Sequence, residues 1–242
     1  MSDIVTPQLP AIQFNTVSKN YNMVNALIKA DFAIYPGEFV FLVGPSGAGK
    51  STVLKLIYRE EIATEGVVTI NGIDLATLKE NQVPLLRRGL GIVFQDFKLL
   101  EGQTTFDNVA YVLRALGTPA DEVRRRVIGA LKVVGLVDKI DSLPSELSGG
   151  EQQRVGVARA IVNGPAIVIA DEPTGNLDPQ STLDIMNLLL QTNARGTTVL
   201  VSTHNLTMVE ALRKRVIAIE EGHVVADGLY DPDASEPAPA PV

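Results

Sequence analysis

The segment FVFLVGPSGAGKSTVLKLI, residues 39–57, joins two kinds of order. Apolar residues run unbroken to Val43, as in a strand buried on both faces. From Lys50 onward apolar residues recur at helical spacing. Between the two runs, glycines stand at 44, 47 and 49. Such a loop reaches backbone angles closed to other residues and lets the main chain approach a ligand closely. Its successive N–H groups form an anion nest, and the helix that follows adds the positive end of its dipole. Gly44-Pro45-Ser46-Gly47-Ala48-Gly49-Lys50-Ser51 matches GxxxxGK[ST] in the strand-to-helix context the motif requires. The expectation is a loop that binds a nucleoside triphosphate. In it Lys50 reaches the β- and γ-phosphates, and the Ser51 hydroxyl, with Thr52 beside it, is placed toward Mg²⁺.

A second half of the site is expected at the end of a neighbouring strand. AIVIADE, residues 166–172, supplies it: Asp171 on the Mg²⁺ side and Glu172 as general base for the attacking water. Asp-Glu-Pro also suits a helix cap after a strand. Between the two halves lies Leu147-Ser148-Gly149-Gly150-Glu151-Gln152-Gln153-Arg154. A Ser-Gly-Gly that opens a helix is again an anion-binding arrangement. One triphosphate needs only one such loop. A head-to-tail dimer, in which each chain's second site closes on the other's nucleotide, explains the pair. A plain capped helix explains Ser148 but not both glycines.

The 242 residues are 45% hydrophobic and 20% charged, enough for a sizeable core. A net charge of -7 argues against nucleic acid as the main partner. Without cysteine there is no disulfide and no thiolate metal site. MSDIVTPQLP lacks the basic-then-apolar order of a signal peptide, and no apolar run approaches the ~18–20 residues of a membrane span. If the chain works at a membrane, another protein is expected to hold it there.

FVFLVG, GLGIVF, AIVIAD and TTVLVST are continuous β-rich runs separated by helical patterns. They predict an α/β fold: a mainly parallel sheet core with helices on both faces. AIQFNTVSKNY alternates, and GVVTINGIDL carries Asn71-Gly72 between short β-rich runs, so an antiparallel β edge is expected near the N-terminus. RVIAIEEGHVVADG reads as a late hairpin with His223 in its turn. Val123, Val127, Leu131 and Val134 fall at helical spacing behind Asp121-Glu122. Residues of about 97–160 are therefore expected to form an inserted helical subdomain. One domain is expected over 11–228, after an N-terminal extension (1–10) and before a disordered acidic Pro/Ala tail (229–242).

With Walker A and Walker B motifs flanking LSGGEQQR, the chain resembles the ABC-type ATPases over roughly residues 11–228. The resemblance implies further roles. Tyr21 stacks on adenine. Gln95 contacts Mg²⁺ and the water. Asp178, in Gly175-Asn176-Leu177-Asp178, crosses the dimer interface. His204 contacts the γ-phosphate, and Ser148, Gly149 and Gly150 reach the partner's nucleotide. Taken singly, Tyr21 is a half-buried strand-end aromatic, Gln95 and Asp178 are turn residues, and His204 is a hydrogen-bonded histidine.

KLIYREEIATEG, RRGLGIVFQDFKLLEGQTTFDNVA and ADEPTGNLDP narrow the resemblance to the FtsE-type cell-division ATPases. It then implies an FtsX-type transmembrane partner, a homodimer when ATP is bound, and a peripheral position on the cytoplasmic face of the inner membrane at the division septum. It also implies indirect control of a peptidoglycan hydrolase. The resemblance implies that a short helix of the membrane partner docks against Phe97, Leu99 and Leu100, with Tyr58 and Arg59 opposite; the alternative is that the three apolar residues simply pack the insertion against the core. The alternative is the ATPase subunit of an ABC transporter or lipoprotein-release complex, which uses the same chemistry.

Overall fold

The computed structural model describes residues 8–230. Residues 1–7, and 231–242 of the expected tail, lie outside the described residues. Along the chain, β1 (Ile12–Tyr21) and β2 (Val24–Ile34) form a hairpin, and β3 (Phe39–Val43) leads into α1 (Lys50–Ile57). A second hairpin, β4 (Glu65–Ile70) and β5 (Ile73–Asp74), precedes α2 (Val83–Arg88) and β6 (Leu90–Val93). Then come α3 (Thr105–Ala115), α4 (Ala120–Val133) and α5 (Gly149–Ile161), with no strand among the described residues between β6 and β7 (Ile167–Asp171). The chain continues through α6 (Pro179–Ala194), β8 (Thr198–Thr203), α7 (Leu206–Leu212), β9 (Arg215–Glu220) and β10 (His223–Leu229).

Six strands form the central sheet in the order β10-β9-β3-β8-β7-β6. Every pairing from β9 to β6 is parallel, and only the β9–β10 hairpin is antiparallel. Because strand side chains alternate between faces, Phe41, Val43, Val168 and Val201 point one way and Val40, Leu42, Ile169 and Leu200 the other. The first set packs under α3, α4, α5 and α6. Val123, Val127 and Leu131 of α4, and Val134 at its C-cap, are all at most 4% exposed, as the helical spacing requires. The loop before α3 is pinned by Asn108, which is fully buried. Its amide donates to the carbonyls of Leu100, Gln103 and Thr104 and accepts from the Leu100 N–H.

The other face has a helix too, as expected of helices on both sides, and more besides. It carries α1 and a second sheet, four antiparallel strands in the order β2-β1-β4-β5. The antiparallel strands are thus mostly a separate layer rather than an edge of the core sheet. The reason lies in β1 and β2. Their inward residues Ile12, Phe14, Val17, Phe32 and Ile34 are at most 5% exposed, with Phe14 stacked on Phe32 at 4.5 Å. Burying each such side chain is worth roughly 1.5–3 kcal/mol, and Val40, Leu42 and α1 supply the apolar surface they need. The backbone of β2 also meets the β9–β10 turn, where the Ile28 N–H donates to the Gly222 carbonyl at 2.9 Å.

The Asn71-Gly72 hairpin forms with both residues at positive φ, 49° and 78°, the geometry of a two-residue turn. The late hairpin also forms, but Glu221-Gly222 makes its turn; His223 opens β10, paired with Glu220. Strand β10 runs through Leu229, which pairs with Arg215, so strand pairing holds a residue that the sequence assigns to the tail.

Candidate active site

Parallel registry builds the site. Val43 pairs with Thr203, Ser202 with Asp171, and Ala170 with Val93. The C-terminal ends of β6, β7, β8 and β3 therefore lie side by side, within about 15 Å at the usual strand spacing. The residues just beyond them are Gln95, Glu172, His204 and the Gly44–Ser51 loop. Open α/β sheets bind ligands at this end of their strands. A cavity of about 640 Å³ lies here. Pro45, Ser46, Gly47, Gly49, Lys50, Ser51, Thr52, Gln95, Glu172 and His204 all line it.

The loop cannot take this shape with ordinary residues. Gly49 sits at φ 115°, and a side chain there would run into the Ala26 carbonyl. Ala48 is buried beneath the loop, and the Gly44 carbonyl faces inward. Lys50 begins α1 with its side chain 7% exposed. Its ammonium donates to the Gly44 and Pro45 carbonyls at 2.8 and 3.1 Å and stands 3.7 Å from Glu172 Oε1. Glu172 Oε2 meets His204 Nδ1 at 3.0 Å. The glutamate is 14% exposed and the histidine 68%. Lysine, glutamate and histidine thus form one chain across the cavity.

Glu172 lies at φ 43°, in the left-handed region, which is costly for a glutamate and recurs at functional sites. Ser202 holds it there: the Glu172 N–H donates to both the carbonyl and the hydroxyl of Ser202. The Ser202 hydroxyl in turn donates to Asp171 Oδ1 at 2.6 Å. Asp171 is therefore fixed at the end of β7, two strands from β3 and its loop, but it does not line the cavity. In the sequence the one signal of Ser202 is a hydroxyl within the apolar run TTVLVST; the structure shows it fully buried.

Other expected residues stand elsewhere. Tyr21 ends β1, with the Lys19 ammonium 4.9 Å above its ring and Glu61 beside it. The cavity wall on that side is Val24, Asn25 and Ala26 of β2 instead. Ser148 caps α5 in a reciprocal box with Glu151, whose carboxylate is held below its usual range by the Ser148 N–H and hydroxyl. Gly149 is exposed, and a side chain at Gly150 would strike Ser181. Asp178 is exposed and caps α6 through the Ser181 N–H and hydroxyl. None of Ser148, Gly149, Gly150 and Asp178 lines the chain's own cavity.

Of the expected docking groove, Phe97 and Leu99 are half-buried and Leu100 is 42% exposed. Tyr58 does not belong to it. It packs in the core between the sheets, and burial, then the Glu60 and Asp171 charges, push its hydroxyl above its ordinary pKa. Arg59 turns to the Leu75 carbonyl.

A glycine loop, an acidic strand end, a glutamine and a histidine around one cavity, with a Ser-Gly-Gly helix start outside it, define an ABC-type ATPase. The family model for the ABC transporter matches residues 27–175. An ATP-binding cassette solved as a dimer in a post-hydrolysis state, bound to ADP and Pi, superposes with a TM-score of 0.83. It is 36% identical and covers 90% of this chain and 98% of its own. Among curated relatives, the Cell division ATP-binding protein FtsE of Bacillus subtilis (strain 168) is 53% identical, over 91% of this chain and 100% of that protein. The Escherichia coli (strain K12) protein of the same name is 47% identical, over 88% and 96%. The chain belongs to the ABC transporter family, in its FtsE branch of cell-division ATP-binding proteins.

Proposed function

We propose that this chain is the ATP-driven subunit of a cell-division complex, working as a head-to-tail dimer whose two sites are each completed by the other copy. The observation that carries the dimer is the split: Lys50, Ser51, Gln95, Glu172 and His204 share one cavity, while Ser148, Gly149, Gly150 and Asp178 do not line it. The dimeric cassette with ADP and Pi supports it by likeness.

In this reading the loop N–H groups and Lys50 hold the phosphates. Lys50 moves from the Gly44 and Pro45 carbonyls onto the β- and γ-oxygens, leaving Glu172 unneutralised. Glu172 then accepts a proton from a water whose oxygen attacks the γ-phosphorus. The bond from the γ-phosphorus to its bridging oxygen breaks, and ADP leaves with the electron pair. His204 keeps the carboxylate oriented and reaches the γ-phosphate. The partner's Ser148-Gly149-Gly150 helix start caps the same phosphate.

The residues fit Mg²⁺ of the sort shared with nucleotide oxygens. No cluster of three or more His, Asp or Glu forms a dedicated cage among the described residues. Ser51 and Gln95 would hold the ion directly and Asp171 through its shell. Bound there, it would neutralise charge developing on the phosphates.

No helix among the described residues is long and apolar enough to cross a membrane. By likeness to the cell-division relatives, an FtsX-type transmembrane partner supplies the anchor in this reading, on the cytoplasmic face of the inner membrane at the septum. ATP-driven closure is passed across the membrane to a peptidoglycan hydrolase or its activator. The test is a pull-down of the tagged chain from detergent-solubilised membranes, with mass spectrometry of what is retained. An FtsX-type protein is the expected partner. Recovery of a solute permease or lipoprotein-release subunit in its place overturns the division role.

A further inference from the structure

Helix α5 carries one buried polar side chain that has no part in the proposed chemistry. Gln153, on α5, is fully buried. Its amide nitrogen donates to two carbonyls, Phe94 at 3.3 Å and Pro173 at 2.7 Å. Two carbonyls demand a donor, so this orientation of the amide is the required one. Its own oxygen is buried without a partner, the one such side-chain atom among the described residues. An unpartnered buried oxygen costs stability, and a methionine of the same length would avoid that cost.

The positions of the two carbonyls are informative. Phe94 directly precedes Gln95, and Pro173 directly follows Glu172; Gln95 and Glu172 both line the nucleotide cavity. Two turns further along α5, Arg159 donates to the carbonyls of Phe97 and Lys98 at 2.7 and 2.6 Å. No carboxylate pairs with Arg159 among the described residues, and burial lowers its pKa. Phe97 and Lys98 both lie in the left-handed region, at φ 57° and 47°. Consecutive non-glycine residues keep that conformation only where neighbours impose it. One helix therefore grips the loop that carries Gln95 at three carbonyls and the loop that carries Glu172 at one. Ser148 and its glycines open the same helix, five residues or about 7 Å before Gln153.

We propose that Gln153 is a positioning residue that locks α5 to the loops of Gln95 and Glu172, so that the seating of α5 on the partner's nucleotide sets the geometry of this chain's own water-activating groups. Arg159 completes the lock by holding the strained part of the Gln95 loop. This rests on the composite-site reading for its trigger, but the lock itself lies within one chain. A displacement of about 1 Å in a reacting group can cost about 10²-fold in rate, so the lock is expected to act on turnover and not on nucleotide affinity.

The experiment uses the full chain with Gln153→Met and Gln153→Glu, which keep the volume but lose the two-carbonyl donor. The readouts are melting temperature, ATP affinity, kcat and KM. A control, Val157→Ala, removes buried apolar volume from the same helix but no hydrogen bond to either loop. ATP-dependent dimerisation of Gln153→Met is read separately by light scattering in the Glu172→Gln background. The expected result is at least a tenfold fall in kcat for both Gln153 variants, with ATP affinity and KM within twofold and dimerisation retained. A folded Gln153→Met with kcat within twofold of the parent overturns the proposal. So does an equal kcat loss in Val157→Ala at the same fall in melting temperature. If neither Gln153 variant folds, Arg159→Lys decides: it gives up the forked donor, and unchanged turnover rejects the lock. Failure of the Glu172→Gln chain to dimerise with ATP would sink the composite-site reading instead, while kcat of Gln153→Met would still judge the lock.

Discussion

Glu172→Gln separates the chemistry of the site from its binding. The amide preserves the side-chain volume, and the backbone bonds from Glu172 to Ser202 are untouched. Two electrical changes follow. First, the amide is a far weaker proton acceptor, and general base catalysis is worth about 10²–10⁴-fold. At 1.36 kcal/mol per tenfold, that adds about 2.7–5.4 kcal/mol to the barrier. Second, Lys50 loses a carboxylate at 3.7 Å. At an effective dielectric of about 20 the attraction is about 4–5 kcal/mol. Desolvation of the pair offsets most of it, and the Gly44 and Pro45 carbonyls still accept from the ammonium. A net loss of about 1 kcal/mol should lower the melting temperature of the nucleotide-free chain by about 2–4 °C. With ATP present the sign reverses. Lys50 no longer has to leave a carboxylate, and the γ-phosphate no longer faces one, so affinity should rise severalfold and the ATP-bound dimer should accumulate. Phosphate release, nucleotide titration and thermal melts with and without ATP measure all three. Turnover above one tenth of wild type would refute the assignment of Glu172, and weaker ATP binding would refute the electrostatic argument.

Lys50→Ala removes the cation that the phosphates replace the loop carbonyls around, and ATP affinity should drop at least tenfold in a titration while the chain stays folded. Ser148→Arg in the Glu172→Gln background should leave each chain's own cavity intact and abolish the ATP-dependent rise in mass by light scattering; an unchanged dimer would reject the composite site. The helix caps predict acid sensitivity. Asp107 is held low by Arg114 and then Thr104, and Glu151 by the Ser148 N–H and hydroxyl. Folded values below the unfolded ones give stability that is present above the unfolded range, near 3.8 and 4.5, and lost as pH falls through the folded values. Circular dichroism melts from pH 6 down to about pH 3 should show that loss, and Glu151→Gln should reduce its slope.

Local chemistry made much of this protein readable from sequence. The glycine loop is legible because strand, nest and helix are contiguous over residues 39–57. The same holds for the buried parallel strands, the α4 face from Val123 to Val134, and the Asn71-Gly72 turn, since each depends on backbone angles or periodicity within a few residues. Glu172 and Asp171 were legible as the acidic end of an apolar run. What sequence order cannot state is which strand ends meet. Only the β3-β8-β7-β6 pairing brings Gln95, Lys50, Glu172 and His204 to one cavity, and only Ser202, one strand away, explains how Glu172 keeps a left-handed backbone. The antiparallel strands are legible near the N-terminus, but that most of them form a separate layer is not, because alternation in β1 shows that a face is buried but not what buries it. Tyr58 looked like surface for the same reason: its neighbours Arg59 and Glu60 are polar, and its burial comes from a sheet far along the chain. Gln153 is the sharpest case. It shares a helical face with Val157 and Ala160, a polar residue on an apolar stripe, yet the carbonyls that give it meaning lie 59 and 20 residues away. Periodicity and turn chemistry are set by nearest neighbours along the chain; hydrogen bonds that close a site are set by neighbours in space, and packing alone chooses those.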